Sequence, residues 1–199
     1  MALDTGYISR PCKGETLSGD EGACWQLPQR RVLALADGLG HGPHAHHAAM
    51  LAMNCIAENL HLSCEAIFAA CHAHLRNSRG AVLAVAVIDL ASNVMTLGSV
   101  GNIRTQVLTS TRDVRLGTVN GIVGARFACT QPDTQPLAPG DVVAMFTDGV
   151  AETASVRDCY ANPTVTPQQV AQGVLAQWGR DDDDATVLVY RHTPQGAQA

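Results

Sequence analysis

Short apolar runs separated by turn residues recur along most of the chain. The runs GYISRP, ACWQLP and RVLALAD predict three strands before residue 38. After Gly80, the runs AVLAVAVIDL, NVMTLGSVG, RTQVLTST and RDVRLGTVN predict antiparallel strands joined by hairpins. Towards the C-terminus, VVAMFT and ATVLVYRH predict two more buried strands. We therefore expect a chain rich in antiparallel sheet.

Three stretches predict helices instead. The first runs from Pro43 to about Leu62, where the proline suits a first helical turn and HAHHAAMLAMNCIAENL is rich in helix formers. The second runs from Cys64 to Asn77, and the third covers 166–178 with Thr166 as its N-cap. Helices placed between groups of hairpin strands favour antiparallel sheets covered by helices over a doubly wound parallel sheet.

Composition narrows the class of protein. The 199 residues are 46% hydrophobic and 16% charged, which is typical of one sizeable domain, expected over residues 1–199. A formal charge of −5 without a basic stripe gives no reason to expect nucleic acid as a partner. The N-terminus lacks a signal-peptide pattern, and no apolar run reaches the roughly 18–20 residues that span a membrane. Without coiled-coil heptads either, the expectation is a cytoplasmic monomer.

The seven cysteines are scattered, odd in number and never arranged as C-x-x-C. Free thiols, mostly buried, are therefore expected rather than a disulfide framework. Cys71 is followed by His72, but adjacent helical residues point in different directions, so a Cys–His nucleophile is not expected.

Four acidic signals share one setting, at a strand end or in the loop beside it. They are Ser18-Gly19-Asp20, Ala36-Asp37-Gly38, Thr147-Asp148-Gly149 and the run from Asp181 to Asp184. Carboxylates that converge at one rim of a sheet repel one another unless a cation neutralises them. Mg²⁺ and Mn²⁺ take such oxygen ligands, and two ions about 3.5–4 Å apart can bind a phosphate and activate a water. Asp-Gly alone is a common turn, so it is the ordered set that favours a metal site.

Five further aspartates are interpreted as structural. Asp141 lies in a Pro-Gly-Asp turn, and the others are taken as turn or surface residues: Asp89, Asp113, Asp133 and Asp158.

The histidines of DGLGHGPHAHH offer a competing hypothesis. His44 and His47 would share one face of a helix, which raises the alternative of a zinc site. No H-E-x-x-H pattern and no suitably spaced cysteine pair accompanies them or His46, so zinc is disfavoured. His41 differs because it lies in the loop beside Asp37, where it could donate to a substrate phosphate or assist a leaving alcohol.

In order and spacing, ADGLGHG with a helix behind it, FTDGV, and DDAT before a hydrophobic strand resemble the metal-dependent, type 2C-like serine/threonine phosphatases. The resemblance covers nearly the whole chain, from Ser18 to Thr186. The forms DGLGHGPHA and VGNIR are most similar to the bacterial SpoIIE branch and its small RsbX-type phosphatases. The fold that this resemblance implies is α+β, a four-layer α-β-β-α sandwich of two antiparallel sheets flanked by helices.

The resemblance also implies ligands for two Mn²⁺ or Mg²⁺ ions. Asp37 would bridge both ions, and Gly38 would offer its backbone carbonyl to one of them. Asp148 and Asp183 would complete the ligands of the other ion, and Asp20 would ligate directly or hold a metal-bound water. Asp37, Asp148 and Asp183 are thus the expected catalytic residues.

Three more residues are expected around this centre. Asn102 in VGNIR would brace the metal-site loops, His41 would contact the phosphate, and Asp184 is the second choice after Asp183. Larger eukaryotic relatives place a phosphate-binding arginine upstream of the first acidic signal. Arg10 and Lys13 stand here at offsets that do not match it, and the stretch from Gly124 to Pro139 is too short for a sizeable flap.

The implied activity is hydrolysis of phosphoserine or phosphothreonine by a metal-activated water, without a phosphoenzyme. The implied substrates are phosphorylated STAS-domain proteins of a stressosome-like complex, in negative feedback on a bacterial stress-signalling pathway. Two alternatives stay open. One is a sporulation-type phosphatase of an anti-anti-sigma factor, and the other is a catalytically inactive phosphatase fold used as a binding module.

Overall fold

Two five-stranded antiparallel sheets account for most of the chain that the computed structural model describes, namely residues 4–126, 132–160 and 164–193. The strands in chain order are β1 Thr5–Arg10, β2 Asp20–Leu27, β3 Arg30–Gly38, β4 Ala81–Asp89, β5 Val94–Val100, β6 Arg104–Leu108, β7 Asp113–Leu116, β8 Asp133–Pro136, β9 Val142–Phe146 and β10 Ala185–Arg191. Sheet I has the order β1-β10-β9-β6-β7, and sheet II has the order β2-β3-β4-β5-β8.

Helices cover the outer face of each sheet. They are α1 Pro43–Glu58, α2 Cys64–His74 with a 3-10 turn over Leu75–Asn77, α3 Val156–Cys159 and α4 Pro167–Trp178. α1 and α2 pack on sheet II, whereas α3 and α4 pack on sheet I. The α-β-β-α sandwich expected from the resemblance is confirmed.

The alternation of side chains along β3 shows how the layers form. Leu33 and Leu35 point between the sheets, where they join Met145 of β9 and Leu188 of β10 in one buried cluster. The residues between and beside them on β3 face the α1–α2 layer instead: Val32, Ala34 and Ala36. Because successive side chains point to opposite faces of a strand, a buried central strand needs apolar residues at every position.

Helix ends follow local chemistry. Thr166 caps α4 as predicted, and with Gln169 it forms a reciprocal capping box. α1 ends at Glu58, four residues before the predicted end near Leu62. There the Asn59 side chain donates to the Cys55 carbonyl oxygen at 2.8 Å, which offers the backbone an alternative to further helix.

The prediction from sequence missed β8 and the single-turn α3. The sequence of β8, DTQP, has no apolar run, and it is an edge strand paired only with β5, a position that tolerates proline. Asp133, interpreted from the sequence as a turn or surface residue, is an exposed residue at the start of this edge strand. The six cysteines within the described ranges are free, and Cys129 lies outside them. In those same ranges, no helix is long and apolar enough to span a membrane.

Candidate metal and phosphate site

The two sheets bring their acidic strand ends to the same end of the sandwich. In sheet II, Asp20 at the start of β2 pairs in register with Asp37 near the end of β3. In sheet I, Asp148 follows β9, and Asp183 precedes the neighbouring β10. The carboxylates of Asp37, Asp148 and Asp183 line one cavity of about 260 Å³. Its other lining residues are Leu39, Gly40, His41, Val82 and Asn102.

Asp20 lies beneath this cavity and not on its wall. Only 2% of it is exposed, and its carboxylate accepts a hydrogen bond from the Thr147 hydroxyl at 2.7 Å. Burial raises the pKa of Asp20 to about 7, although hydrogen bonds from Thr147 and Thr186 favour the ionised form. The Thr147 hydroxyl also accepts from the backbone N–H of Thr186 at 3.0 Å. Asp20 and the two threonines therefore link the sheets directly below the cavity.

The carboxylates of the cavity repel one another and are partly shielded from solvent, which raises the pKa values of two of them. Burial, together with the charges of Asp20, Asp148 and Asp183, raises the pKa of Asp37 to about 9. Burial and then Asp148 raise the pKa of Asp183 as well. A divalent cation would remove this repulsion and favour the ionised forms. The donor set therefore fits hard oxygen-seeking ions.

The cavity carboxylates suit ions that keep several water molecules as ligands. In the part of the chain that the structure describes, no three His, Cys, Asp or Glu side chains are close enough together to hold one ion between them. Mg²⁺ usually keeps several waters and binds through only one or two carboxylates. Asp37, Asp148 and Asp183 on one open wall suit that mode, whereas a closed tetrahedral zinc site would need four nitrogen or sulfur ligands.

Asp148 is held by residues of the β5–β6 connection. The Asn102 amide donates to the Asp148 carboxylate at 2.7 Å. Arg104 donates to the carbonyl oxygens of Thr147, Val150 and Ala151 and lies over the Phe146 ring, 4.8 Å from its centroid. The VGNIR stretch therefore fixes both the Asp148 side chain and the loop that carries it.

The acidic run divides into four different environments. Asp181 pairs with Arg10, and Asp182 pairs with Arg180. Asp184 is 3% exposed, and its carboxylate accepts the backbone N–H groups of Cys12 and Gly19, each at 2.8 Å. Asp183 is the member that lines the cavity. Asp184 thus secures the loop between β1 and β2, while Asp183 faces the cavity.

Gly38 and Gly149 are needed because other backbone passes close by. A Cβ atom on Gly38 would lie 2.0 Å from the carbonyl oxygen of Ala45 in α1. A Cβ atom on Gly149 would lie 2.0 Å from the carbonyl oxygen of Asp184. Neither glycine has a positive φ, so each is required for close approach and not for an unusual turn.

The histidines do not converge on one point. His41 lines the cavity, and its Nδ1 donates to the Glu15 carboxylate at 2.7 Å. His46 contacts the Ser18 carbonyl oxygen at 3.0 Å, while His44 and His47 are exposed. Glu15 carried no signal in the sequence, because it lies 26 residues from His41 in a loop. This contact orients the imidazole at the cavity mouth.

Solved structures share the architecture of this chain. One structure of RsbX in complex with magnesium matches with a TM-score of 0.84 and 19% identity, over 95% of this chain and 94% of that chain. The PP2C phosphatase domain of SpoIIE from Bacillus subtilis, solved with a fragment of its regulatory domain, matches with a TM-score of 0.80 and 18% identity, over 96% and 64%. The fold and site define a metal-dependent PP2C-type phosphoprotein phosphatase.

The family follows from a sequence comparison. The model of the family "Stage II sporulation protein E (SpoIIE)" matches residues 28–193, so the chain belongs to the SpoIIE family. A structure described as "The bacterial stressosome: a modular system that has been adapted to control secondary messenger signaling" is 29% identical. It matches with a TM-score of 0.90, over 96% of this chain and 100% of that chain. A search of curated protein sequences gives no match.

Proposed function

We propose that this protein removes phosphate from phosphoserine or phosphothreonine of STAS-domain proteins in a stressosome-like complex. The observation that carries the chemistry is the cavity lined by Asp37, Asp148 and Asp183, which come from both sheets. The similarity to RsbX and to the structure described under the stressosome supports the choice of substrate. In such a pathway the enzyme acts as a negative-feedback regulator.

Each residue of the cavity has its own proposed role in the reaction. Two Mn²⁺ or Mg²⁺ ions, when bound, would activate a water and neutralise phosphate charge. Asp37 would bind both ions, with the Gly38 carbonyl, Asp148 and Asp183 as further ligands and Asp20 below them. Asn102 keeps the Asp148 carboxylate in place through its 2.7 Å hydrogen bond. The walls of the cavity hold the phosphoryl group close to these residues.

We infer that His41 protonates the leaving serine or threonine oxygen. Its Nδ1 is bound to Glu15, which leaves Nε2 as the atom that can hold and deliver a proton. An alkoxide is a poor leaving group, so an acid at this position matters for an alkyl phosphate and much less for an aryl phosphate. His41→Ala should therefore slow hydrolysis of a phosphoserine peptide by about 10²-fold while sparing p-nitrophenyl phosphate. Equal losses on both substrates would contradict this role.

The central experiment uses neighbouring aspartates of the acidic run as a matched pair. Asp183→Asn and Asp182→Asn remove the same charge one residue apart, but only Asp183 lines the cavity. We expect Mn²⁺-dependent hydrolysis of a phosphorylated STAS-domain protein that chelator and Asp183→Asn abolish and Asp182→Asn preserves. Activity that survives chelator would exclude the two-metal mechanism. Metal binding without turnover on any phosphoprotein would favour the binding module.

The substrate assay also separates the two phosphatase hypotheses. A panel of one phosphorylated stressosome STAS protein and one phosphorylated anti-anti-sigma factor is compared by kcat/KM. A clear preference for the first supports the proposal. A preference for the second would replace it with the sporulation-type alternative, with the same chemistry in the cavity.

A further inference from the structure

The cavity carries more negative than positive side chains, yet its substrate is an anion. Its wall includes three carboxylates and one imidazole, those of Asp37, Asp148, Asp183 and His41. Bound cations would neutralise the carboxylates. A phosphoryl group at the cavity mouth would still have oxygens that face protein side chains, and these oxygens need a donor. Arginine is the side chain best suited to phosphate oxygens, because its planar fork donates several N–H groups at once.

The arginines beside the acidic run are already engaged. Arg10 donates to the Arg180 carbonyl oxygen at 2.7 Å and pairs with Asp181 at 3.1 Å. Arg180 donates two hydrogen bonds to Asp182, at 3.1 and 2.9 Å. Both guanidinium groups therefore secure the loop before β10, and neither lines the cavity.

Arg79 stands on the opposite rim. It lies between the 3-10 turn after α2 and the start of β4, directly before Gly80. The backbone N–H of Leu39 donates to the Gly80 carbonyl oxygen at 3.1 Å, and Arg79 Nη1 donates to the Leu39 carbonyl oxygen at 3.3 Å. A Cβ atom on Gly40 would lie 2.8 Å from Arg79 Nη1. Leu39 and Gly40 line the cavity, whereas Arg79 does not, so the guanidinium lies next to the cavity and outside its wall.

Among the described residues, one carbonyl oxygen accepts a hydrogen bond from Arg79, and its other donors have no protein acceptor there. The side chain is exposed, and across the three described ranges no carboxylate lies within ion-pairing distance of it. Its single long hydrogen bond to a carbonyl uses one of five N–H groups. Gly40, with φ of +89°, keeps the space beside Nη1 free of a side chain. The rim thus holds a cation with free donors next to the carboxylate cavity.

We propose that Arg79 binds the phosphoryl oxygens of the substrate at the cavity rim, an inference that rests on the proposed phosphatase function. Arg79 is then a substrate-binding residue on the α2–β4 connection, on the side of the cavity formed by sheet II. It acts from the same rim as His41, so the phosphoryl group would be held between that rim and the carboxylate wall.

The test compares Arg79→Ala and Arg79→Lys with Arg76→Ala. Arg76 is an exposed arginine on the adjacent 3-10 turn, so it controls for the loss of one positive charge nearby. With a phosphoserine peptide, Arg79→Ala should raise KM and the inhibition constant of inorganic phosphate about tenfold. Arg79→Lys should restore part of this affinity, and Arg76→Ala should change neither constant.

Two direct measurements separate binding from loop positioning. Calorimetric titration gives the Mn²⁺ affinity of each variant, and thermal unfolding gives its Tm. We expect both to stay at wild-type values in Arg79→Ala. A parallel loss of Mn²⁺ affinity would overturn the proposal, because Arg79 would then act by holding Leu39 and the metal-site loop. Unchanged inhibition by phosphate would overturn it as well.

If the proposed phosphatase function is wrong, the role of Arg79 can still be tested separately. If the wild-type protein hydrolyses no phosphoprotein, titration of the Mg²⁺-loaded protein with inorganic phosphate still reports on Arg79. Phosphate binding that weakens about tenfold in Arg79→Ala and not in Arg76→Ala would uphold the anion site while the phosphatase proposal fails. Equal phosphate affinity in all variants, or none in the wild type, would overturn the site itself.

Discussion

Asp37-Gly38 and Asp148-Gly149 look alike in sequence but are built differently. Both stand at the end of a buried strand, and both glycines lie close to the backbone of another segment, Gly38 to that of α1 and Gly149 to that of Asp184. Asp37 belongs to β3 and sits in the paired register of sheet II, opposite Asp20. Asp148 lies just beyond β9, and Asn102 from another connection holds its carboxylate.

The difference shows two ways to hold a carboxylate at the wall of the cavity. At Asp37 the strand fixes the backbone, and burial beside other carboxylates raises the pKa of the side chain. At Asp148 a neutral amide donor fixes the side chain, and Arg104 fixes the loop through its carbonyl oxygens. At the first position burial and neighbouring carboxylates disfavour the ionised side chain, whereas at the second a neighbouring amide fixes the geometry of the side chain. Substitutions at Asp37 and at Asp148 should therefore affect activity and stability differently.

The largest effect is expected from Asp37→Asn. Loss of Asp37, the proposed ligand of both ions, should lower kcat/KM by about 10³-fold or more, where each order of magnitude corresponds to about 1.4 kcal/mol of transition-state stabilisation. Asp148→Asn changes a proposed ligand of one ion only, so it should cost about tenfold less. The measurement is kcat/KM at saturating Mn²⁺, with Mn²⁺ affinity in parallel. A larger loss from Asp148→Asn would reverse the ranking of the two ligands.

Next in size is the effect of a methyl group on either glycine. Gly38→Ala and Gly149→Ala should each destabilise the fold by about 3 kcal/mol, because the added Cβ would lie 2.0 Å from a carbonyl oxygen. Gly117→Ala is the control, since its Cβ would meet its nearest neighbour at an ordinary 3.4 Å. Urea unfolding with and without Mn²⁺ measures the change. Wild-type stability in either variant would show that the backbone can move apart at no cost.

Asn102→Ala should have a smaller effect, and it should affect Asp148 and not Asp37. Loss of the donor that orients a ligating carboxylate typically costs about 10- to 100-fold in metal affinity or activity. Asn120→Ala, at an exposed asparagine in the β7–β8 connection, is the matched control. Metal titrations and kcat/KM check the result. If Asn102→Ala changed nothing, the 2.7 Å contact would have no part in positioning Asp148.

Much of the scaffold could be predicted because its signals are local. The two Asp-Gly corners follow apolar runs, and Thr166 stands three residues before Gln169 in a capping pattern that one stretch of sequence contains. β8 could not be found this way, since DTQP becomes a strand only by pairing with β5. Tertiary pairing decides such edge strands.

The site was predictable as a set of aspartates but not in its supporting contacts. Asp20 and Thr147 are 127 residues apart, and Asn102 and Asp148 are 46 apart, so only the folded sheets bring them together. Asp183 and Asp184 are adjacent and chemically identical. Which of them faces the cavity depends on the N–H groups of Cys12 and Gly19, which capture Asp184.

The last prediction concerns the pH dependence of stability without metal. Asp37 has a folded pKa of about 9 and an ordinary value of 3.8, so folding favours its protonated form. The unfolded chain releases this proton at lower pH than the folded chain does. Stability of the metal-free protein should therefore fall as pH rises between about 4 and 9, by up to about 1 kcal/mol per pH unit. Asp37→Asn should flatten this slope, whereas Asp158→Asn, at an exposed position in α3, should leave it unchanged. Denaturant unfolding in chelator at pH 6, 7.5 and 9 measures the slope, and a metal-free wild type that grew more stable with rising pH would contradict the burial of charge at Asp37.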